Sequence, residues 1–168
     1  MNIFVTDACP IISAINLPDI LVRKMIVETA QLLSGAHILL DDNKVAYKLT
    51  HKNHPSAKWV RASDSNYRWA FDHLKALCRE YQYRFGKVHK TELVALPALE
   101  SIPTNISKSP LNGFAMAMPD NFKLLGLRDE TVAYKAYLRT KFENWQTRTD
   151  KKRIVPTWTN RNKPDWVL

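Results

Sequence analysis

Glu28 lies four residues after Lys24 and nine after Asp19, within a run that carries Leu21, Val22, Met25, Thr29, Leu32, Leu33 and Ala36 at helical spacing. A carboxylate at the edge of such a stripe has two readings. It is the i, i+4 partner of Lys24, or it is a half-desolvated acid at the border of the core. A second polar set runs along the border of another apolar face: Asn66, His73, Glu80 and Arg84, with His51, His54, Lys87 and His89 at the ends of the same element. Half-covered groups of this kind either bond to neighbouring elements or line a polar or anionic site. His51, His54, His73 and Glu80 also allow a small-molecule enzyme, though His-x-x-His in a loop lacks the third ligand that a metal site wants.

A third set is basic and aromatic. Beyond Trp145 come Arg148, Lys151, Lys152, Arg153, Trp158, Arg161, Lys163 and Trp166. Cations that pair with phosphates, interleaved with rings that stack on bases, mark nucleic-acid binding. The alternative is a solvated tail that docks through its tryptophans. Both readings stand at this stage.

The elements that must position these groups are helical. Pro18-Asp19 opens a helix whose end falls at Gly35 or Asp41. Pro55 suits a helical first turn, the chain from Trp59 to Phe85 holds no Gly or Pro, and Gly86 suits the residue past a helix end. On that stretch Trp59, Val60, Tyr67, Ala70, Phe71, Leu74, Leu77, Cys78, Tyr81 and Phe85 share one broad face, which is core. Asp129-Glu130 starts a third helix, with Ala133, Tyr134, Tyr137, Leu138 and Trp145 on its apolar side. Met1 to Val5 reads as a short strand or a segment tucked into the core. From Lys90 to Asn121, Pro97, Pro103, Pro110 and Pro119 interrupt the pattern, so this segment is expected as an ordered loop burying Leu93, Val94, Leu99, Ile106, Leu111, Phe114 and Met118. Phe114 to Met118 is expected as a buried turn, or else as a wedge that enters a groove. The expectation is a single all-α domain over 1–168, with three main helices at 18–40, 56–85 and 129–147 and long connections packed over them.

The totals narrow the partner. A length of 168 residues suits one core, and a formal net charge of +9 favours a polyanion over a neutral surface. The two cysteines, Cys9 and Cys78, have no metal-type spacing, and Cys78 falls on an apolar face. Asp7 and Pro10 interrupt the first apolar run, and no run approaches a membrane span. The expected place is the cytoplasm of a bacterial or phage-infected cell, with DNA as partner and no membrane, metal or cofactor. The oligomeric state is open.

Two resemblances add to this reading. THKNHP, ALCREYQYRFGKVHK and AMPDNFK together resemble a family of small phage and bacterial proteins, over most of the chain. The order of elements is similar to that of the pyrimidine-dimer DNA glycosylases of the phage endonuclease V type. The Asp19 to Glu28 spacing, the His-containing stretch HKNHP before a second helix, and Pro156-Thr157-Trp158 after a third carry that similarity.

The second resemblance implies a base-flipping glycosylase, or glycosylase and AP-lyase, acting on a damaged or modified base. In such enzymes an N-terminal α-amine attacks C1′ of the nucleotide and a Schiff base with the sugar then permits strand cleavage, while a glutamate acts as acid and base. α-Amines as a class titrate at about 7.7–8.0, so they are partly free nucleophiles at neutral pH. Carried onto this sequence, the catalytic groups are Glu28 and the amine of Met1, which Asn2, Ile3 and Phe4 follow. The DNA-binding set is Arg23, Lys24, His51, His54, Arg84, Lys87, Lys151, Lys152, Arg153 and Trp158. The alternative is a basic nucleic-acid-binding or phage interaction protein without catalysis.

Overall fold

Seven helices and no strand make up the described part of the computed structural model, residues 1–167. They are α1 (Pro10–Ile15), α2 (Asp19–Asp41), α3 (Pro55–Val60), α4 (Asp64–Phe85), α5 (Lys90–Leu99), α6 (Asp120–Lys123) and α7 (Glu130–Thr147). The expected all-α single domain is what the chain forms, and the apolar stripe on α2 is buried from Leu21 to Ala36. α2 and α4 pack along most of their lengths, with α1 laid across α4. Gly35 does not end α2. The helix runs on to Asp41 and closes with Asp42 in the left-handed region at φ 51°.

Two boundaries differ from expectation. The helix expected over 56–85 is broken at Arg61–Ser63, because the Ser63 hydroxyl accepts from the Asn66 N–H at 3.1 Å and starts a new helix there. His54 opens the short α3 in the same manner, its Nδ1 accepting from the Ser56 N–H. The region after Gly86 is not all loop. His89 caps α5, and Pro97 sits within its last turn. Leu93, Val94 and Leu111 are exposed there, whereas Leu99, Ile106 and Met118 are buried. Phe114 packs against Trp59 and Trp69, so it serves as cover rather than as a wedge.

The N-terminal segment is buried without forming a strand. Asn2, Ile3, Phe4, Val5 and Thr6 are all covered, and Phe4 meets Tyr134 and Tyr137 of α7. Ser13 receives the turn of this segment, taking the Thr6 N–H at 3.1 Å and donating to the Phe4 carbonyl at 3.2 Å. These bonds satisfy extended backbone that would otherwise be buried without partners.

The chain after α7 has no regular structure yet is firmly held. The Thr157 and Thr159 hydroxyls donate to Asp19 Oδ2 at 2.9 and 2.7 Å, and the Asp19 N–H donates to the Thr157 carbonyl at 2.8 Å. The Trp158 indole donates to the Asn16 carbonyl at 3.0 Å. Asp19 therefore serves as a buried post to which the C-terminal segment is tied.

Candidate functional site

The geometry converges on Glu28. Its Oε2 accepts the Asn2 N–H at 3.0 Å and lies 3.7 Å from the α-amine of Met1, while Oε1 lies 3.4 Å from Lys24 Nζ. The Glu28 side chain is only 14% exposed, so the amine meets it with little solvent between them, whereas Lys24 reaches it from the surface. The two readings of Glu28 thus coexist, because the carboxylate pairs with Lys24 and faces the amine as well.

The first two residues are held in place from α7 and from the segment before α6. Asn2 Nδ2 donates to the Ala117 carbonyl at 2.8 Å, and the Tyr134 hydroxyl stands 3.0 Å from Asn2 Oδ1. Tyr134 is fully buried, and burial pushes its phenol well above the ordinary value, so it remains a neutral hydroxyl. The amine's position against Glu28 therefore follows from a buried bonding chain and not from a free end.

Two further groups share this electrostatic neighbourhood. Burial first, then the charges of the Met1 amine and His51, hold His54 below its ordinary value, with Glu28 pulling the other way. Its Nδ1 accepts the Ser56 N–H, which leaves the neutral ring with its proton on Nε2. Lys141 of α7 is the other. Its ammonium lies over the rings of Tyr137 and Trp145 at 5.5 and 5.6 Å. Burial first, then Lys24, lowers its pKa, and Glu28 opposes them. Lys141 has no place in the sequence reading. Its one signal is its position four residues from an aromatic on either side, the spacing at which a lysine stem lies along rings on a helix.

The stripe on α4 takes a different part. All four members are buried, and none bonds to Glu28. Asn66 Nδ2 donates to the Trp59 carbonyl and to Asn112 Oδ1, and His73 Nδ1 donates to the Pro10 carbonyl at 2.9 Å. Arg84 donates to Glu80 Oε2 at 2.9 Å, to Asp19 Oδ1 at 3.1 Å and to the carbonyls of Leu17 and Ile15 at 2.8 Å. Arg161 meets Glu80 Oε1 at 2.6 Å from the C-terminal segment. Burial works against the Asp19 charge, but bonds from Thr159, Thr157 and Arg84 outweigh it and hold its carboxyl below the usual range.

Arg84, placed among the DNA-binding residues from sequence, is thus corrected to an internal cation whose side chain has no exposed surface. The grouping of His51, His54, His73 and Glu80 is likewise undone, because His73 is sealed under α1 and Glu80 is taken by two arginines. Among the described residues no three His, Cys, Asp or Glu side chains are set to hold a metal ion.

The remaining expected residues divide by surface. His51, Lys87, Lys151, Lys152 and Arg153 are exposed. Arg23 lies over the Phe85 ring at 4.2 Å, and Trp158 is half-buried with its edge against Phe142. Trp158 is therefore a wall of the fold more than a free stacking platform. Among the described residues no helix is long and apolar enough to cross a membrane. Comparison with protein-family models, curated proteins and solved structures yields no match.

Proposed function

We propose that this chain acts on DNA as a glycosylase with AP-lyase chemistry, using the amine of Met1 as nucleophile and Glu28 as its acid and base. The observation that carries the proposal is the 3.7 Å approach of the Met1 amine to Glu28 Oε2, with the Asn2 N–H bonded to the same oxygen. A carboxylate so placed takes a proton from the amine. The free amine adds to C1′ of an extruded nucleotide, and the base leaves with the electrons of the glycosidic bond. Ring opening gives the imine, whose positive charge Glu28 stabilises. Removal of a C2′ proton then expels the 3′ phosphate and breaks the strand.

Support comes also from the cations. Lys24 joins the amine at the Glu28 carboxylate, Lys141 feels the charge of that carboxylate, and an excess of positive charge suits a phosphate-bearing substrate. The overall charge of +9 acts in the same sense at longer range.

Borohydride reduction of a mixture with abasic-site DNA tests the proposal. The expected result is a covalent adduct mapped by mass spectrometry to Met1 and lost on acetylating the terminal amine. An adduct on Lys24 or Lys141 would transfer the nucleophile's role to that lysine. No adduct with single- or double-stranded abasic DNA would remove the assignment.

A further inference from the structure

The C-terminal segment and α7 enclose a half-open cavity of about 220 Å³ whose walls include Phe142, Val155, Pro156 and Trp158. Arg139, Glu143 and Gln146 border it from α7, and Lys163 borders it from the C-terminal segment. On a helix Arg139 and Lys141 are about 200° apart, so this cavity opens on a different side of α7 from the Glu28 site.

The cavity is built, because each wall is fastened. The Ile154 N–H donates to the Trp145 carbonyl at 2.9 Å and sets Val155-Pro156 against α7. Trp158 is pinned by the Asn16 carbonyl, and the residues on either side of it are tied to Asp19. Phe142, which forms the floor, is 2% exposed and meets the Trp158 ring edge-on at 5.9 Å.

Its chemistry is that of a seat for a flat ring with polar edges. The apolar walls are rings and short aliphatic groups, while the rim supplies donors from Arg139, Lys163 and Gln146 and an acceptor from Glu143. Immediately before Ile154 and Val155 the chain exposes Lys151, Lys152 and Arg153. A base in the cavity would have its phosphates beside those cations, since bases stack on rings while cationic side chains follow the backbone. We propose that this cavity binds an unpaired nucleobase together with its phosphates, as a second nucleotide site separate from Glu28. The nucleotide belongs to a strand or is free, and the two sources share this chemistry.

The test uses the full chain and follows the Trp158 indole N–H and the Val155 methyl groups by NMR. The probes are inorganic phosphate, nucleoside 5′-monophosphates and a single-stranded DNA pentamer. The expected result is saturable shifts at both positions with the pentamer, far smaller shifts with phosphate, and intermediate ones with the monophosphates. If the monophosphates match the pentamer, a free nucleotide is the ligand.

Val155→Asp puts a carboxylate on an exposed part of the wall and should weaken the pentamer about tenfold or more, in the range of one lost stacking contact. Val132→Asp, at another exposed position near the start of α7, carries the same charge and should leave affinity near the parent's. Equal losses in both variants, or shifts as large with phosphate as with the pentamer, would reduce the cavity to part of a general anion surface and overturn the inference. So would saturation by an apolar peptide with none by the pentamer. Borohydride trapping by Val155→Asp at saturating abasic DNA reports on the Glu28 site alone, so failure there and failure here are read separately.

Discussion

The Asn2 main-chain N–H donates to Glu28 Oε2 at 3.0 Å, joining two residues 26 positions apart, and the same oxygen stands 3.7 Å from the Met1 amine. The first bond keeps the amine near that oxygen, because only the Met1 Cα and carbonyl carbon separate the two nitrogens. Removing the charge of Glu28 while keeping its shape therefore isolates its chemistry. Glu28→Gln still offers an oxygen to Asn2 but can no longer take a proton, and base release should fall by about 10²–10⁴-fold. Affinity for a non-cleavable DNA should stay within a few-fold. If Glu28 were only the partner of Lys24, the change would cost about 0.3–0.5 kcal/mol of stability and no activity. Single-turnover kinetics beside a urea titration separate these outcomes.

Lys151, Lys152 and Arg153 project from the loop after α7, and all three are exposed. If they neutralise phosphates, the slope of log affinity against log salt should flatten by about 0.9 for each one changed to Gln. Fluorescence anisotropy with duplex and single-stranded DNA at several salt concentrations gives the slope. An unchanged slope in the triple variant would place the phosphate contacts elsewhere.

The three long helices were legible in the sequence because their apolar stripes recur at helical spacing and their ends carry Gly86, Asp19 and Asp129. The break at Ser63 was not, because helix spacing continues through it and only a side-chain bond to Asn66 stops the helix. α5 was hidden by Pro97, which reads as a breaker but is tolerated in a last turn where His89 secures the start. The stripe from Asn66 to Arg84 left two readings open for a physical reason. Its partners, the Ile15 carbonyl, Asp19 and Arg161, lie 69, 65 and 81 residues away from the members they bond and follow no local pattern. Glu28 was singled out by its spacing, whereas nothing singled out Lys141, because a lysine on a helix normally points to water.

Arg84 and Asp19 meet with almost no solvent, their side chains 0% and 8% exposed. Arg84→Ala would strip Asp19 and Glu80 of a shared cation and leave the Ile15 and Leu17 carbonyls unbonded. Breaking a buried pair in this way costs about 3–5 kcal/mol. Arg161→Ala should cost less, because Arg161 is partly exposed and Glu80 keeps Arg84. It should act instead on the C-terminal segment, opening 148–160 to protease while the core persists. Urea unfolding gives the first quantity and limited proteolysis the second. Equal, small losses in both variants would mean that the network adds geometry without stability.

His73 is fully buried, stacked on Trp69 at a centroid distance of 5.2 Å, with Nδ1–H given to the Pro10 carbonyl and Nε2 lacking a partner. Burial lowers its pKa to about 4, although the bond to Pro10 pulls upward. In the unfolded chain an imidazole takes its proton near 6.5. As pH falls below that value the unfolded state binds the proton first, so stability is full above about 6.5 and declines towards pH 4. The gap corresponds to on the order of 3 kcal/mol from this one ring. His73→Leu removes the titration and the bond to Pro10 together. It should be less stable than the parent at pH 7.5, by about 1–3 kcal/mol for the orphaned carbonyl. Between pH 6.5 and 4.5, however, its urea midpoint should fall less steeply than the parent's. Parallel midpoints for the two proteins across that range would show that His73 does not drive the acid sensitivity of the fold.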